Sequence, residues 1–196
     1  MPRHVFLALC LLGLVSGCAK PRPMADLMTR PSPPFELGKL SRLVGTWTGT
    51  AEMVSPSPEQ MRRMMPEGAP ESPTSMRGES TYEWTLDGMY LKGEGWYDMP
   101  GDQRMHYVEY VTWDAKAGKY RNWMFDDWGN RGEGWMTFDD DGKTAHHQGT
   151  MIAPTGARTR AVGTMTFVDD DTLEWAFTEK GPMGTMKLKG TMTREP

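Results

Sequence analysis

Glu109 is the first candidate for chemistry in this sequence, because acid–base catalysis needs a carboxylate inside the fold. It lies in the segment RMHYVEYVTWD, where period-two alternation predicts a strand with Met105, Tyr107, Val111 and Trp113 on the same face. If that face points inward, burial raises the pKa of the Glu109 carboxyl, or an arginine must neutralise it. If it points outward, Glu109 is an ordinary solvated residue, and the sequence leaves both alternatives open.

Histidines are the next candidates, as metal ligands, and three of them follow the N-terminal region: His106, His146 and His147. Neighbouring residues on a strand point to opposite faces, so His146 and His147 cannot both contribute to one site. A three-ligand site would need His106, one of this pair and a carboxylate, and we predict no metal site. The Asp runs at 139–141 and 169–171 are typical of hairpin turns rather than calcium loops.

Methionine is frequent in this chain, with 18 of 196 residues. Its side chain is flexible and polarisable, and it suits surfaces that adapt to varied ligands. Several methionines fall on the more apolar face of a predicted strand, although ordinary core filling also explains them. We predict that an adaptable pocket is lined by these methionines and by two polar residues: Met105, Met124, Met165, Met186, Tyr107 and Glu109.

The elements that must position these side chains are β-strands. Period-two alternation recurs from residue 46 to the C-terminus, and Gly-, Pro- and Asp-rich turn signals separate the segments at fairly even intervals. No gap between the segments is long enough for a crossover helix. We therefore predict an all-β fold, an antiparallel up-and-down barrel of about ten strands, closed so that no edge is left bare. A short helix in FELGKLSRLVG (35–45) precedes the first strand.

One long connection, residues 55–77, interrupts this pattern between the first and second predicted strands. It carries five prolines and four methionines. The proline content predicts a flexible insertion, with a single helical turn at Glu59–Met65. The alternative is a lid over the barrel mouth, because long loops in compact domains are often functional.

Gly45 and Trp47, in the stretch LVGTWTGT, match the Gly-x-Trp signature of lipocalin-like barrels. The resemblance implies that Trp47 closes the barrel floor against the last strands, and that Gly45 lets the chain bend sharply before it. Haem-binding nitrobindin barrels share this opening and use a histidine near their C-terminal strands. No histidine follows His147 here, so we predict no cofactor.

A closer resemblance covers residues 37–193. The segments LGKLSRLVGTWTGTAEM, STYEWTLDGMYLKGEG, YVTWDAKAGKYRNWMFDDWGNRGEG and DDDTLEW are similar to the bacterial family called domain of unknown function 1579. The match departs at 112–114, where Thr-Trp-Asp replaces the usual Gly-Tyr-Asp, and the long connection between the first two strands is extra. The resemblance implies a calycin-like barrel without an established activity, so it assigns no catalytic residue.

The N-terminal segment MPRHVFLALCLLGLVSGC is typical of an export signal. Arg3 precedes an apolar run, 5–15, that is too short to span a bilayer. The end of the segment, LVSGC, resembles the bacterial lipoprotein signal, in which Cys18 is lipidated and becomes the new N-terminus. An ordinary signal peptide cleaved nearby is the alternative. Cys10 leaves with the signal, so the mature chain has no partner with which Cys18 could form a disulfide.

The predicted organisation is therefore a signal peptide (1–17), a proline-rich tether (18–34) and a barrel domain (35–196). Lipidation of Cys18 would anchor the protein in a membrane. The next residue is Ala19 rather than Asp, which resembles the sorting signal for the outer membrane. We predict a location in the cell envelope, at the outer membrane, facing the periplasm or the exterior.

Composition narrows the function classes. The net charge is −4 and no basic stripe is visible, so we predict that nucleic acid is not a partner. We predict a lipid-anchored protein that binds a small apolar or amphipathic ligand in its barrel. The alternatives are an enzyme that uses an interior carboxylate or histidine, and a barrel that acts as a scaffold for protein contacts. The Gly-x-Ser-x-Gly motif of serine hydrolases is absent from the sequence, and no oligomeric state is predicted.

The substitution Cys18→Ser tests the anchor. We expect this variant to remain an uncleaved precursor without acyl chains, because serine offers no sulfur for the diacylglyceryl group. The wild-type protein should stay with the membrane fraction, since two acyl chains stabilise attachment by about 0.8 kcal/mol per buried CH₂. The measurement is the mass of the N-terminal peptide after cell fractionation. Wild-type protein in the soluble fraction, with no acyl mass, would contradict the prediction.

Overall fold

The protein is an all-β molecule preceded by a short helix. The computed structural model describes residues 29–57, 59–60, 63, 75–99, 103–182 and 184–196. A 3-10 helix, Phe35–Leu43, leads into ten strands. The strands are β1 Gly45–Ser55, β2 Ser75–Thr85, β3 Tyr90–Met99, β4 Gln103–Asp114, β5 Lys119–Asp126, β6 Arg131–Phe138, β7 Thr144–Ile152, β8 Arg158–Phe167, β9 Thr172–Gly181 and β10 Gly184–Arg194.

The ten strands form one closed antiparallel barrel. Each strand pairs with the next along the chain, and β1 pairs with β10 as well as with β2. The predicted up-and-down barrel with an N-terminal helix is confirmed. Leu86 departs from simple alternation. It comes two residues after Trp84 of β2, but it lies in the turn that follows the strand, with a φ of 51°, and it is 63% exposed.

Residues 33–196 form one compact unit. The structure gives Ser55 to β1 and residues 75–77 to β2, all four of which lie in the range predicted as an insertion. Of the predicted helical turn in that range, residues 59, 60 and 63 are helical and the others lie outside the described residues. The predicted signal peptide and Cys18 also lie outside them. Across the described part of the chain, no helix is long and apolar enough to cross a membrane.

Alternation along each strand separates an inner from an outer face. In the register of the sheet, Trp47 on β1 is the partner of Ser80 on β2, and Leu91 on β3 is the partner of Val111 on β4. The same parity continues around the barrel, because successive side chains of a strand point to opposite faces. The face that includes Trp47 is the inner one, since Trp47 is only 1% exposed.

One end of the barrel is closed by apolar packing. The 3-10 helix inserts three leucines, Leu37, Leu40 and Leu43, each buried. They pack against inward residues from the strand ends that lie at this end of the barrel. Those residues are Trp47, Leu91, Val111, Tyr120, Met136, Ala145, Phe167 and Leu173. The Tyr120 hydroxyl donates a hydrogen bond of 2.6 Å to the backbone oxygen of Glu36, so it joins the helix to β5.

Trp47 and Arg194 join the first strand to the last at this closed end. They are direct partners in the β1–β10 pairing, and the Arg194 guanidinium lies 4.3 Å from the centre of the indole ring. Arg194 also donates to the backbone oxygens of Arg42, at 2.7 Å, and of Val44, while the Trp47 indole N–H donates to the Leu43 oxygen at 2.7 Å. These bonds satisfy carbonyls at the end of the helix, which have no partner within it.

Gly45 gives Arg194 the room for this arrangement. Its φ of 122° is in the region that favours glycine, and a Cβ at this position would lie 2.9 Å from Nη1 of Arg194. The chain therefore bends at Gly45 and places Trp47 inside the barrel. Trp47 packs against Phe167 of β8, with ring centres 6.4 Å apart.

The substitution Trp47→Ala should reduce the free energy of unfolding by about 3–5 kcal/mol, as other large-to-small changes in a core do. The matched control is Trp128→Ala, because the Trp128 side chain is 44% exposed in the turn between β5 and β6. We expect this control to change stability by no more than about 0.5 kcal/mol. Urea unfolding of both variants measures the difference, and equal stabilities would contradict a packing role for Trp47.

Candidate functional site

The inward side chains beyond the closed end surround a space that we call the lumen. Here the inner face changes from apolar to mixed, and inward residues such as Tyr82, Tyr107 and Glu109 are half-buried, although Ser80 is buried. Two polar pairs line the wall formed by β2, β3 and β4. The Tyr82 hydroxyl donates to Oε1 of Glu109 at 2.9 Å, and the Ser80 hydroxyl lies 2.6 Å from the hydroxyl of Tyr107.

Glycines on β3 allow both pairs to form. Tyr82 and Glu109 are the partners of Gly93 on either side of β3, and Ser80 and Tyr107 are the partners of Gly95. A Cβ at Gly93 would lie 2.5 Å from the Tyr82 ring and 3.0 Å from Cγ of Glu109. The absence of side chains at these two positions therefore lets residues of β2 touch residues of β4 across the strand between them.

Glu109 is half-buried, with its carboxyl group surrounded by the inner wall of the barrel. Burial raises its pKa, while the neighbouring Tyr82 hydroxyl and Asn122 amide lower it in part by stabilising the ionised form. Its described neighbours are neutral hydrogen-bonding groups, and it forms no ion pair among the described residues. Glu109 is therefore a carboxyl group in a place where its charge is not neutralised by an arginine or a lysine.

Tyrosine hydroxyls surround this carboxyl group. Burial, together with the charge of Glu109, raises the pKa of Tyr107 to about 12 and that of Tyr82 well above its ordinary value. Burial also raises the pKa of Tyr97, with Tyr107, Glu109, Asp126 and Glu179 adding to the effect. The Tyr97 and Tyr107 rings are 5.3 Å apart. All three tyrosines therefore stay protonated near neutral pH, so each hydroxyl is able to donate a hydrogen bond.

The opposite wall contributes His147 and Glu179. His147, on β7, faces Phe177 of β9 across Gly163 of β8, with ring centres 5.6 Å apart. Burial lowers the pKa of His147, so its ring is neutral at pH 7. Burial raises the pKa of Glu179, and this carboxyl has no hydrogen-bond or ion-pair partner among the residues that the structure describes.

Two buried polar atoms inside the barrel lack a partner in the described structure: Oδ1 of Asn122 and Nδ1 of His147. Oδ1 of Asn122 lies over Gly134, only 2.6 Å from where a Cβ at that position would stand. Buried polar groups are normally hydrogen-bonded, so each such exception calls for an explanation. The interior can therefore hold a polar group of a bound molecule within a largely apolar wall.

The residues predicted to line a pocket lie in two places. Glu109 faces inward with its strand neighbours, as one of the two alternatives left by the sequence. Met105, Tyr107, Met124 and Met186 also occupy inward positions along the lumen. Met165 is inward as well, but it packs against the apolar cluster of the closed end, away from these residues.

The three histidines have different surroundings and do not form one site. His106 is exposed on the outer face, where its Nδ1 lies 3.0 Å from Asp127, and His146 is exposed with its Nε2 2.8 Å from Asp139. His147 alone of the three points inward. Within the described ranges, no group of three or more His, Cys, Asp or Glu side chains is placed to hold a metal ion.

Sequence reasoning did not select Ser80, Tyr82, Asn122, His147 or Glu179 as ligand-binding residues. The signal for Glu179 is present, because the alternation of Leu173, Trp175 and Phe177 continues to it two residues later. The Tyr82–Glu109 pair forms because Gly93 lies between them on the inner face. A glycine in this position predicts such a pair only when the register of the three strands is known.

The outer wall carries two shallow depressions. One, of about 430 Å³, lies over β1, β8, β9 and β10, and its lining includes Glu52, Glu174 and Lys189. The other, of about 500 Å³, lies over β6, β7 and β8, where Val162 contributes to its lining. Both are formed mainly by outward residues, and of the polar residues described in the lumen only His147 also lines one of them, the second.

Comparison with known families matches residues 33–194 to the family described as protein of unknown function (DUF1579). The chain belongs to the DUF1579 family. The match spans the helix and all ten strands, and it confirms the resemblance drawn from the sequence motifs. No match is found among proteins with curated functions.

Solved structures similar to this DUF1579 protein are β-barrels. Rv2717c from M. tuberculosis is 14% identical, with a TM-score of 0.60, and the alignment covers 84% of this chain and 100% of that one. This degree of similarity shows the fold alone. The S-type phycobiliprotein lyase CPES from Guillardia theta is 11% identical, with coverage of 84% and 99% and a TM-score of 0.48. A redesigned β-barrel, mFAP1, bound to DFHBI, is 15% identical, with coverage of 79% and 96% and a TM-score of 0.41.

The substitution Glu109→Gln tests the burial of this carboxyl through the pH dependence of stability. Because the pKa of Glu109 is raised in the folded state, its stabilising contribution is complete below the unfolded-state pKa of about 4.3 and is lost as the pH rises through the folded value. Glutamine keeps an acceptor for Tyr82 but cannot ionise. The variant should therefore gain stability relative to the wild type as the pH increases from about 4 to 8.

The control for this prediction is Glu174→Gln, since Glu174 is exposed on the outer face of β9. Urea unfolding at several pH values measures both variants against the wild type. A difference between Glu109→Gln and the wild type that stays constant, or reverses, over this pH range would be inconsistent with a buried carboxyl.

Proposed function

We propose that this barrel binds a small amphipathic molecule in its lumen. The observation that carries the proposal is the pair of buried, unpartnered polar atoms, Oδ1 of Asn122 and Nδ1 of His147, on the inner side of the barrel. Leaving a buried polar group unsatisfied costs about 1–3 kcal/mol. A bound molecule with a polar group at this level would recover part of that free energy.

The inner wall also suits the apolar part of such a molecule. Phe177 lies against Gly163, where a Cβ would be 2.5 Å from the ring, and Trp175 lies against Gly190 at 2.6 Å. Rings that rest on neighbouring glycines lie along the wall rather than across the lumen. Met124 and Met186, whose side chains adapt readily to different shapes, extend the apolar surface. Small-molecule sites have this composition, a mostly apolar lining with few polar groups.

The proposal includes a location. The lipoprotein-like signal ending at Cys18 supports attachment of the barrel to the cell envelope by lipid, at the outer membrane, with residues 19–34 as a tether. A tethered barrel would capture or carry its ligand close to the membrane surface. This part of the proposal rests on the sequence of the N-terminal segment.

Binding of Nile red, a neutral lipophilic dye, to the barrel domain measures occupancy of the lumen. Met124 is the inward partner of Glu109, so Met124→Trp should fill the lumen and weaken dye binding at least about tenfold. The matched control is Val162→Trp, which adds the same ring to the larger of the two outer depressions and should leave dye binding unchanged.

The two variants separate the interior from the exterior. Loss of binding in Val162→Trp but not in Met124→Trp would place the dye on the outer wall and overturn the proposal. Thermal melting of both variants checks that each is folded at the temperature of the titration. Native mass spectrometry of the wild-type domain, purified without denaturation, would reveal a molecule that stays bound.

A further inference from the structure

The charges that face the lumen are of one sign. The inward positions of the described strands carry three carboxylates, Glu109 on β4, Asp126 on β5 and Glu179 on β9. The one described arginine or lysine among the inward positions is Arg194, and it lies at the closed end against Trp47. Other basic residues of the described strands, such as Lys92 and Lys189, lie on the outer face with acidic partners.

These carboxylates are not equally satisfied. Asp126 accepts hydrogen bonds from the backbone N–H groups of Trp128 and Asn130, at 3.0 and 2.9 Å, so the turn at the open end uses much of its acceptor capacity. Glu109 has the Tyr82 hydroxyl and the adjacent Asn122 amide. Glu179 has no partner among the described residues, and its carboxylate keeps its full capacity as an acceptor.

Unused hydrogen-bonding capacity in the lumen is therefore mainly that of acceptors. Oδ1 of Asn122 accepts and cannot donate, and an ionised carboxylate such as Glu179 only accepts, whereas Nδ1 of the neutral His147 ring donates or accepts according to its tautomer. A ligand that satisfies them must supply N–H or O–H donors. A protonated primary amine supplies three hydrogen-bond donors and no acceptor. Its positive charge also provides the counter-charge that these carboxylates do not have.

Aromatic faces strengthen the same preference. Tyr97 lies close enough to both Glu109 and Glu179 for their charges to act on its hydroxyl, and its ring is tilted by 33° against that of Tyr107. Phe177 and Trp175, with ring centres 5.9 Å apart, line the wall of β9 beside Glu179. The negative face of an aromatic ring attracts an organic cation, and the attraction is greater when the cation is removed from water.

We infer that the lumen selects an amphipathic organic cation, a protonated amine with an apolar chain or ring, whose ammonium group lies between Glu109 and Glu179 and whose apolar part lies along Trp175, Phe177 and the methionines. This inference rests on the proposed function, because it names the chemical class of the ligand bound at that same site. Neutral and anionic molecules of the same shape are disfavoured, since they leave the two carboxylates without a counter-charge.

Three probes of equal chain length test this selection: decylamine, which is protonated at pH 7, decanol and decanoate. Decylamine and decanoate are used below the concentrations at which they form micelles, and decanol is used below its solubility limit. Each is titrated into the barrel domain that holds Nile red, and displacement of the dye gives its affinity. We expect decylamine to bind at least about tenfold more tightly than decanol, and decanoate to bind most weakly.

Carboxylate variants connect this preference to the residues. Glu179→Gln and Glu109→Gln should each reduce the ratio of decylamine to decanol affinity by about tenfold, because each removes one charge near the ammonium group. Glu174→Gln removes the same charge from the outer face of β9 and should leave the ratio unchanged. Far-UV circular dichroism and thermal melting confirm that each variant is folded, and Glu179→Gln, which breaks no described hydrogen bond, provides the cleaner result.

The outcomes distinguish this inference from the proposed function. If Nile red binds in a manner that Met124→Trp blocks, but decylamine and decanol displace it equally or decanoate displaces it best, the lumen binds ligands and the cation inference is wrong. If Glu174→Gln changes the ratio as much as Glu179→Gln does, the amine binds outside, and the inference is also wrong. If Met124→Trp leaves dye binding unchanged, the proposed function itself fails.

Discussion

Pairing of β1 with β10 is the contact on which the rest of the structure depends. It turns a ten-stranded meander into a barrel, and only a closed barrel makes the inward side chains of opposite strands face one another. Trp47 and Arg194 are partners across this seam, and Arg194 also holds the end of the 3-10 helix through backbone oxygens. The same few contacts therefore close the sheet and cover one of its ends. With that end filled by apolar side chains, the polar inward residues are left toward the other end.

Glycine determines how the polar residues meet. On the inner face, Gly93 and Gly95 separate residues of β2 from residues of β4, and Gly163 separates His147 from Phe177. Each glycine weakens its strand intrinsically, since it has no side chain to pack and loses more conformational freedom on folding. In return, a side chain reaches over one strand to touch the next but one. Contacts of this kind join three strands. They bring together residues on strands that are not paired with each other in the sheet, such as Tyr82 on β2 and Glu109 on β4.

Most of the fold could be predicted from the sequence, because alternation, turn residues and the Gly-x-Trp opening are local signals. Alternation also placed Glu109, Tyr107 and Met105 on one face. Local signals fail where the deciding neighbour is distant. Met165 has the same alternation as other inward methionines, but its height along the barrel puts it in the apolar closed end. Likewise, nothing near Asn122 in sequence indicates that Gly134 leaves room for its amide, because that relation depends on the pairing of β5 with β6. Leu86 shows the reverse case, in which a turn of positive φ ends the strand before the pattern does.

The buried carboxyls relate stability to binding. Removing a charge from water without a partner opposes folding, so Glu109 and Glu179 reduce the stability of the empty barrel when they are ionised. Apolar packing at the closed end, around Trp47 and the helix leucines, contributes favourable free energy of folding that offsets this cost. A ligand that supplies positive charge and hydrogen-bond donors would remove the electrostatic cost and stabilise the folded state in proportion to its occupancy. The barrel is thus divided into two parts with different roles. The apolar closed end stabilises the fold, and the acidic lumen keeps carboxylates and hydrogen-bonding groups available for a ligand.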